Sequence, residues 1–391
     1  MKRLISLTLV LMMLMTGMVA CSDATGPADT STDPGTTDTP VTAVPTTTAA
    51  PQTTAVPETT AAPETTAPPE TEPVAVELPY VNPLTGLPSA IDSSAQRPVA
   101  VMLNNLRIAN PQIGIGQADI LYECLVEGGI TRLMGVFSDY SSLETLGSVR
   151  SSRDYYIDFA QNHDAIYVCA GGSPQAYSEL YSREINFLCG VNMYTPNTFY
   201  RDQSRINSMG YEHSLMTSGS GIVSGISFKG YRTTLKSDFT SPFIFDAETN
   251  SAADGVEAKH LILTYSASQV VQMIYSEASN TYYRFQFGDV AHVDGATNQQ
   301  LNFTNVLLIY HTVKAIPGDT SGRLAVTTTG SGKGYYISGG KAVSITWKKD
   351  TRDSVIQLTT STGEPLNMAP GKTFVSILPT TAESTTVLNH K

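Results

Sequence analysis

Two arginines, an acid and a glycine-rich helix start fall within one stretch, from Gly147 to Leu180. Arg150 and Arg153 carry planar guanidinium forks that match carboxylate or phosphate oxygens in pairs. Gly171-Gly172-Ser173-Pro174 follows an apolar run, Ala165 to Ala170, and reads as a strand-to-helix turn. Ser173 is placed as N-cap and Pro174 as the first helical residue. The first N–H groups of a helix lack intrahelical partners and sit at the positive end of its dipole, so an anion is well held there. The spacing predicts a ligand site using Arg150, Arg153, Asp154, Gly171, Gly172 and Ser173. The plain alternative is structural: Gly-Gly makes the turn, Ser173 caps, and the arginines pair with Asp154, Asp158 or Glu123.

A second set of charges lies in a hairpin. Asp119 to Glu127 alternates, Gly128-Gly129 turns, and Ile130 to Phe137 returns. With Glu127 opposite Ile130, residues Glu123, Glu127 and Arg132 share one face. Ile120, Tyr122, Cys124 and Val126 share the other with Leu133 and Phe137. The charged face reads as solvated, with cross-strand ion pairs, or as a polar groove joining the ligand site. Glu123 with Glu127 or Asp154 is the only obvious carboxylate pair for glycan cleavage, its separation setting the mechanism. Ser173 lacks a nucleophile-elbow context, and Cys169 sits in a strand with His163 and His213 reachable only through the fold. His292-Val293-Asp294 offers two ligands, too few for a metal site. The expectation is a binding module without metal or cofactor, the alternative being a cell-wall-active hydrolase that uses the carboxylates of the amino-terminal domain.

The elements that must position these residues fall in two segments. Residues 78–230 read as an α/β domain: a short buried strand, Val99 to Leu103, then the hairpin, and then strand–helix alternation. Ser151 with Asp154 resembles a capping box opening a helix to about Asn162. The helix after Pro174 runs to about Arg183. Residues 239–380 read as β-rich, with strands at His260–Tyr265, Val270–Glu277, Tyr282–Phe287, Asn305–Thr312, Arg323–Thr328, Tyr335–Ser338, Ala342–Trp347, Ser354–Thr359 and Thr373–Leu378. The tail after Pro379 reads as frayed. The fold class is α+β.

The amino-terminal part sets the address. Residues 1–20 have a basic start and a short apolar run ending Met18-Val19-Ala20 before Cys21, the pattern of a cleaved lipoprotein signal. Lipidated Cys21 would hold the chain on a membrane. Residues 21–77 are Thr, Pro, Ala and Glu with few large apolar side chains, and a hexad ending in Pro-Glu recurs from Thr53 to Glu70. Such a segment cannot bury enough surface to order itself and serves as a tether. In polyproline II it would reach well over 100 Å, at about 3.1 Å per residue, the scale of a thick cell wall. Nine Asp or Glu and no Lys or Arg lie between Ser22 and Pro79, so most of the net charge of −11 is there. The rest is mildly acidic, which argues against nucleic acid as a partner. A cell-wall component or envelope protein is the expected partner. Cys124, Cys169 and Cys189 read as small buried residues, a Cys169–Cys189 bridge being the alternative.

Several motifs together resemble the YerB-like lipoproteins of Gram-positive bacteria, a two-part domain of unknown function. They are Arg97-Pro98-Val99-Ala100-Val101-Met102, Gln117-Ala118-Asp119-Ile120, Glu127-Gly128-Gly129-Ile130-Thr131-Arg132, Val149-Arg150-Ser151-Ser152-Arg153-Asp154 and Gly171-Gly172-Ser173-Pro174. Weaker echoes are Trp347-Lys348-Lys349 and Pro370-Gly371-Lys372-Thr373. The resemblance spans roughly residues 80–380. It implies anchoring, an extracytoplasmic address and a split into two domains, residues 78–230 and 239–380, and no established activity. Cys169 stands where the resemblance leads one to expect histidine, and Asn110 where a basic residue is usual.

Overall fold

A computed structural model describes residues 78–390. The signal, the tether and Cys21 lie outside the described residues. The longer strands are β1 (Val99–Leu103), β2 (Ile120–Leu125), β3 (Thr131–Phe137), β4 (Ile166–Cys169), β5 (Phe187–Cys189), β6 (His260–Ser266), β7 (Gln269–Ser276), β8 (Thr281–Gln286), β9 (Asn305–His311), β10 (Gly330–Ser338), β11 (Lys341–Lys349), β12 (Gln357–Thr360) and β13 (Thr373–Pro379). The helices are α1 (Asp154–Gln161), α2 (Pro174–Ser182), α3 (Gln203–Met209) and α4 (Gly219–Lys229).

An eleven-stranded sheet takes strands from both sequence segments, in the order β11-β10-β9-β13-β2-β3-β1-β4-β5, with β12 and Val256–Glu257 on the β11 edge. The two segments meet where β13 pairs in parallel with β2, Val375 against Tyr122. On one face of this sheet, α1 and α2 bury Tyr155, Tyr156, Phe159 and Leu180 against Tyr122, Cys124 and Met134. The Tyr155 hydroxyl donates to the Leu125 carbonyl at 2.6 Å, and Tyr156 bonds the backbone of Cys124 and Arg132, which stitches α1 to the hairpin. On the other face, the β6–β8 meander and α4 cover Leu121, Leu133 and Phe137.

With both faces covered, every residue of β2 and β3 is buried. That overturns the solvated face expected for the hairpin. The register differs too. Glu127-Gly128-Gly129 forms a three-residue turn, closed by a bond from Val126 N–H to the Ile130 carbonyl. Both glycines take positive φ, 71° and 72°. Glu123 therefore opposes Leu133, and Cys124 opposes Arg132. One extra turn residue sends Arg132 to the helix-covered face with Tyr122 and Cys124, away from Glu123.

Three further expectations change. Ser151 does not cap α1, because Val149 to Ser152 is extended: Arg150 N–H bonds Met102, and Ser152 N–H bonds Gly171. Arg153 occupies the N-cap position without a side-chain cap. The tail is not frayed. Thr380–Thr385 forms a 3-10 helix, and Val387 exchanges backbone bonds with Ile262 on the edge of β6. The nine expected strands of the second segment are present with shifted ends, Ser354–Thr359 becoming Gln357–Thr360 after a hydrogen-bonded turn at Thr351–Ser354.

Candidate functional site

Strands β1, β4 and β5 run parallel, so their carboxyl ends lie on one rim. Ligands of open α/β sheets bind outside such ends, because the loops leaving the strands converge there. The rim holds a cavity of about 420 Å³, lined among others by Arg150, Gly171, Tyr177, Asn192, Arg201 and Glu212.

Arg150 is brought here by the extended Val149–Ser152 segment, which bridges the ends of β1 and β4. Its guanidinium reaches Glu212 at 3.4 Å, a loose pair on a carboxylate whose side chain is 64% exposed. Arg201 lies 3.9 Å over the Tyr211 ring and donates to the Tyr211 carbonyl at 2.6 Å. Glu212 also contacts His213 Nε2 at 3.1 Å, and His213 Nδ1 lies 2.9 Å from Asn104 Nδ2 at the end of β1. Burial and then the Arg150 charge lower the His213 pKa, against the pull of Glu212, so the imidazole is neutral near pH 7. The rim thus holds two guanidiniums against one carboxylate, with aromatic rings and an amide beside them.

Gly171 and Gly172 line this cavity, and Gly171 requires glycine because its φ is +78°. Its N–H donates to Cys189 Sγ at 3.2 Å. Ser173 is buried and accepts from Ala176 N–H at 3.1 Å, so it serves as the N-cap of α2.

The other expected site residues lie elsewhere. Glu127 is gripped by Arg153 through both carboxylate oxygens, Nε at 2.9 Å, and by Arg132 Nη2 at 3.2 Å. Burial pushes the Glu127 carboxyl up, but the Arg153 hydrogen bond and both guanidinium charges outweigh it and leave it below its ordinary value. Burial and the Arg153 charge bring Arg132 down to about 10. Asp154 faces Arg352 at 3.4 Å, and its pKa is raised by burial.

Glu123 is fully enclosed. It accepts from Arg284 at 2.6 Å, Thr131 at 2.6 Å, Asn105 at 3.2 Å and Gln269 at 3.4 Å. Arg284 also touches His292, whose Nε2 lies 2.8 Å from Gln112. Asp294 accepts three backbone N–H groups, from Gly114, Gly116 and Ala296. The His292–Asp294 pair is thus spent on fixing loops, and no group of three metal-ligating side chains occurs among the described residues. Glu123, Glu127 and Asp154 do not converge on one cleft. Arg150, Gly171 and Gly172 do share the rim, joined by Asn104, Tyr177, Asn192, Arg201, Tyr211 and Glu212. Tyr177, Asn192, Arg201, Tyr211 and Glu212 reach Arg150 only through the fold, and no motif in the sequence singles them out.

A sheet shared by two sequence segments, helices on one face and a β meander on the other, defines a two-part αβ protein with a pocket at its strand ends. Residues 84–232 match the amino-terminal domain, and residues 261–375 the carboxy-terminal domain, of a family described as "Protein of unknown function (DUF3048)". The chain is 31% identical over 301 residues to "Putative lipoprotein YerB" of Bacillus subtilis strain 168, covering 76% of this chain and 86% of that one. The crystal structure of Bacillus subtilis YerB superposes with a TM-score of 0.68 at 28% identity, over 80% of this chain and all of that one. The chain belongs to this YerB-like, two-part family.

Proposed function

We propose that this protein is a membrane-anchored, extracytoplasmic binding module whose rim pocket grips an anionic group of a cell-envelope component. The observation that carries the reading is the convergence of Arg150 and Arg201 on one open cavity at the carboxyl ends of parallel strands. Arg150 is held by Glu212 alone, through its carbonyl at 3.3 Å and its exposed carboxylate at 3.4 Å, and an incoming anion can displace the carboxylate. Tyr177, Tyr211 and Asn192 supply the flat faces and amide that suit a sugar or peptide carrying the anion. The anchoring reading rests on Cys21 after a signal-like run, and on the name of the Bacillus subtilis relative.

Calorimetric titration of the full chain with anionic wall fragments, phosphate-bearing polymer and carboxylate-bearing muropeptides tested separately, checks the site. Arg150→Ala and Arg201→Ala should each weaken binding about tenfold or more, since a charge-assisted hydrogen bond contributes roughly 1.5–3 kcal/mol. Unchanged affinity in both variants sinks the assignment.

A further inference from the structure

Beneath the pocket floor lie two thiols that the binding reading does not use. Cys169 ends β4 and Cys189 ends β5, and they are directly paired across parallel strands. Neighbouring strands are about 4.8 Å apart, within the Cα separation that a disulfide spans. Both side chains face the helix-covered core. Neither is bridged.

The surroundings of the two sulfurs differ. Cys189 Sγ accepts the Gly171 N–H at 3.2 Å and lies 3.7 Å from the Tyr177 hydroxyl, which in turn accepts from Asn192 at 2.8 Å. Gly171, Tyr177 and Asn192 all line the open cavity, so the groups beside this buried sulfur also form the pocket wall. The hydrogen bond from Cys169, and then those from the backbone of Asn192, Val191 and Gly171, hold the Cys189 thiol below its ordinary pKa despite burial. The same Cys189 contact, with burial, pushes Cys169 up. Cys124 is buried under Tyr156 on β2, and burial raises it. A pocket-side sulfur pushed toward the thiolate, directly paired with a second sulfur pushed toward the thiol, is the arrangement of an attacking and a resolving cysteine.

We propose that Cys169 and Cys189 form a redox-active dithiol, with Cys189 attacking and Cys169 resolving, that exchanges with a disulfide presented through the rim pocket. Cys189 Sγ attacks one sulfur of the incoming disulfide, forming a mixed disulfide and expelling one thiolate. Cys169, giving up its proton, then attacks Cys189 Sγ and expels the second. Two protein thiols are oxidised to one disulfide, one incoming disulfide is reduced to two thiols, and the two thiol protons end on the released products. The co-reactant is a small thiol disulfide or an exposed protein disulfide. Closing the bridge removes the Cys189 acceptor from Gly171, so the redox state also acts on the pocket wall.

The test is a redox titration of the full chain in detergent. The protein is equilibrated across ratios of reduced to oxidised glutathione, quenched in acid, denatured, alkylated and peptide-mapped. The Cys169 and Cys189 peptides should leave the alkylated pool together and appear as one linked species, while Cys124 stays alkylated throughout. Cys169→Ser should accumulate a glutathione adduct on Cys189, and Cys189→Ser should leave Cys169 unreacted. Alkylation of Cys169 and Cys189 to the same extent as Cys124 at every ratio overturns the proposal, as does glutathionylation of wild type without bridging. Wild-type mapping decides even if a variant misfolds. No pocket ligand is used, so the outcome is independent of whether the pocket binds an anion.

Discussion

The contact most exposed to refutation is the ion pair between Glu123 and Arg284. Its partners come from β2 and β8, the oxygen and nitrogen are 2.6 Å apart, and both side chains are 0% exposed. Such a pair contributes little net stability, because desolvating two charges offsets their attraction, but removing one partner leaves the other charge buried alone at a cost of roughly 3–5 kcal/mol. Glu123→Ala also strips Thr131 and Asn105 of an acceptor, at about 1 kcal/mol each. At roughly 2–4 °C per kcal/mol for a large domain, Arg284→Met should lower the melting temperature by about 6–20 °C and Glu123→Ala by about 10–30 °C. The double variant Glu123→Leu/Arg284→Met removes both charges and keeps apolar volume, so it should recover most of that loss. Circular dichroism melts and urea titrations of wild type, Glu123→Leu, Arg284→Met and the double variant form a double-mutant cycle. Single variants within about 1 kcal/mol of wild type would show that the pair is not enclosed. A double variant as unstable as the summed singles would show that the two charges are not coupled. Glu123→Gln keeps an acceptor but not the charge and should sit between wild type and Glu123→Ala. A catalytic Glu123 would instead lose activity without losing stability.

Three further outcomes follow from the same geometry, and a fourth from the sequence at Cys21. Ser173→Ala should cost about 1 kcal/mol in a thermal melt through loss of the α2 cap and leave ligand affinity unchanged. Asp158 is fully buried and accepts from Arg183, Thr328 and Arg352, so Asp158→Ala should cost several kcal/mol by urea titration, while Lys259→Ala, at an exposed pair, should cost under about 1 kcal/mol. Burial lowers His163 to about 3 and His311 to about 4. The unfolded chain therefore binds more protons than the folded one below the ordinary histidine pKa of about 6.5, and stability should fall as pH drops from there toward 4, by up to about 1.4 kcal/mol per unit and group; His311→Phe should flatten that slope in melts at stepped pH. Cys21→Ser should move the protein from the membrane fraction to the medium, read by immunoblot.

The strands of the second segment and the helix start at Ser173 were legible because their signals are local: β-branched runs broken by glycine, and a Ser-Pro pair after Gly-Gly. What failed depends on partners far along the chain. Glu123 looks solvated in its own hairpin, and only Arg284, 161 positions away, reveals why an acid is buried there. Helix α4 was hidden by its glycines, which depress helix propensity but are demanded by packing. A Cβ at Gly219 would lie 2.4 Å from the Tyr140 and Ser141 carbonyls, and one at Gly225 would lie 2.5 Å from Thr198.

Arg150 and Arg153 show how the site separates from the scaffold. Three residues apart in sequence, they leave the same extended segment toward different surroundings. Arg153 enters the hairpin end, where Glu127 takes its fork through both oxygens, and the pair is half closed to water. Arg150 points to the rim, where its single carboxylate partner is mostly solvated. A solvated carboxylate held at 3.4 Å contributes little and is readily exchanged, whereas a chelated, half-buried one is not. The same residue type at nearly the same place is thus chelated in one case and loosely paired at the rim in the other. The difference is set by the hairpin turn. Its extra residue places Glu127 against Arg153 and Arg132, and leaves Arg150 on the rim against Glu212, as the guanidinium that the proposed site would offer to an anion.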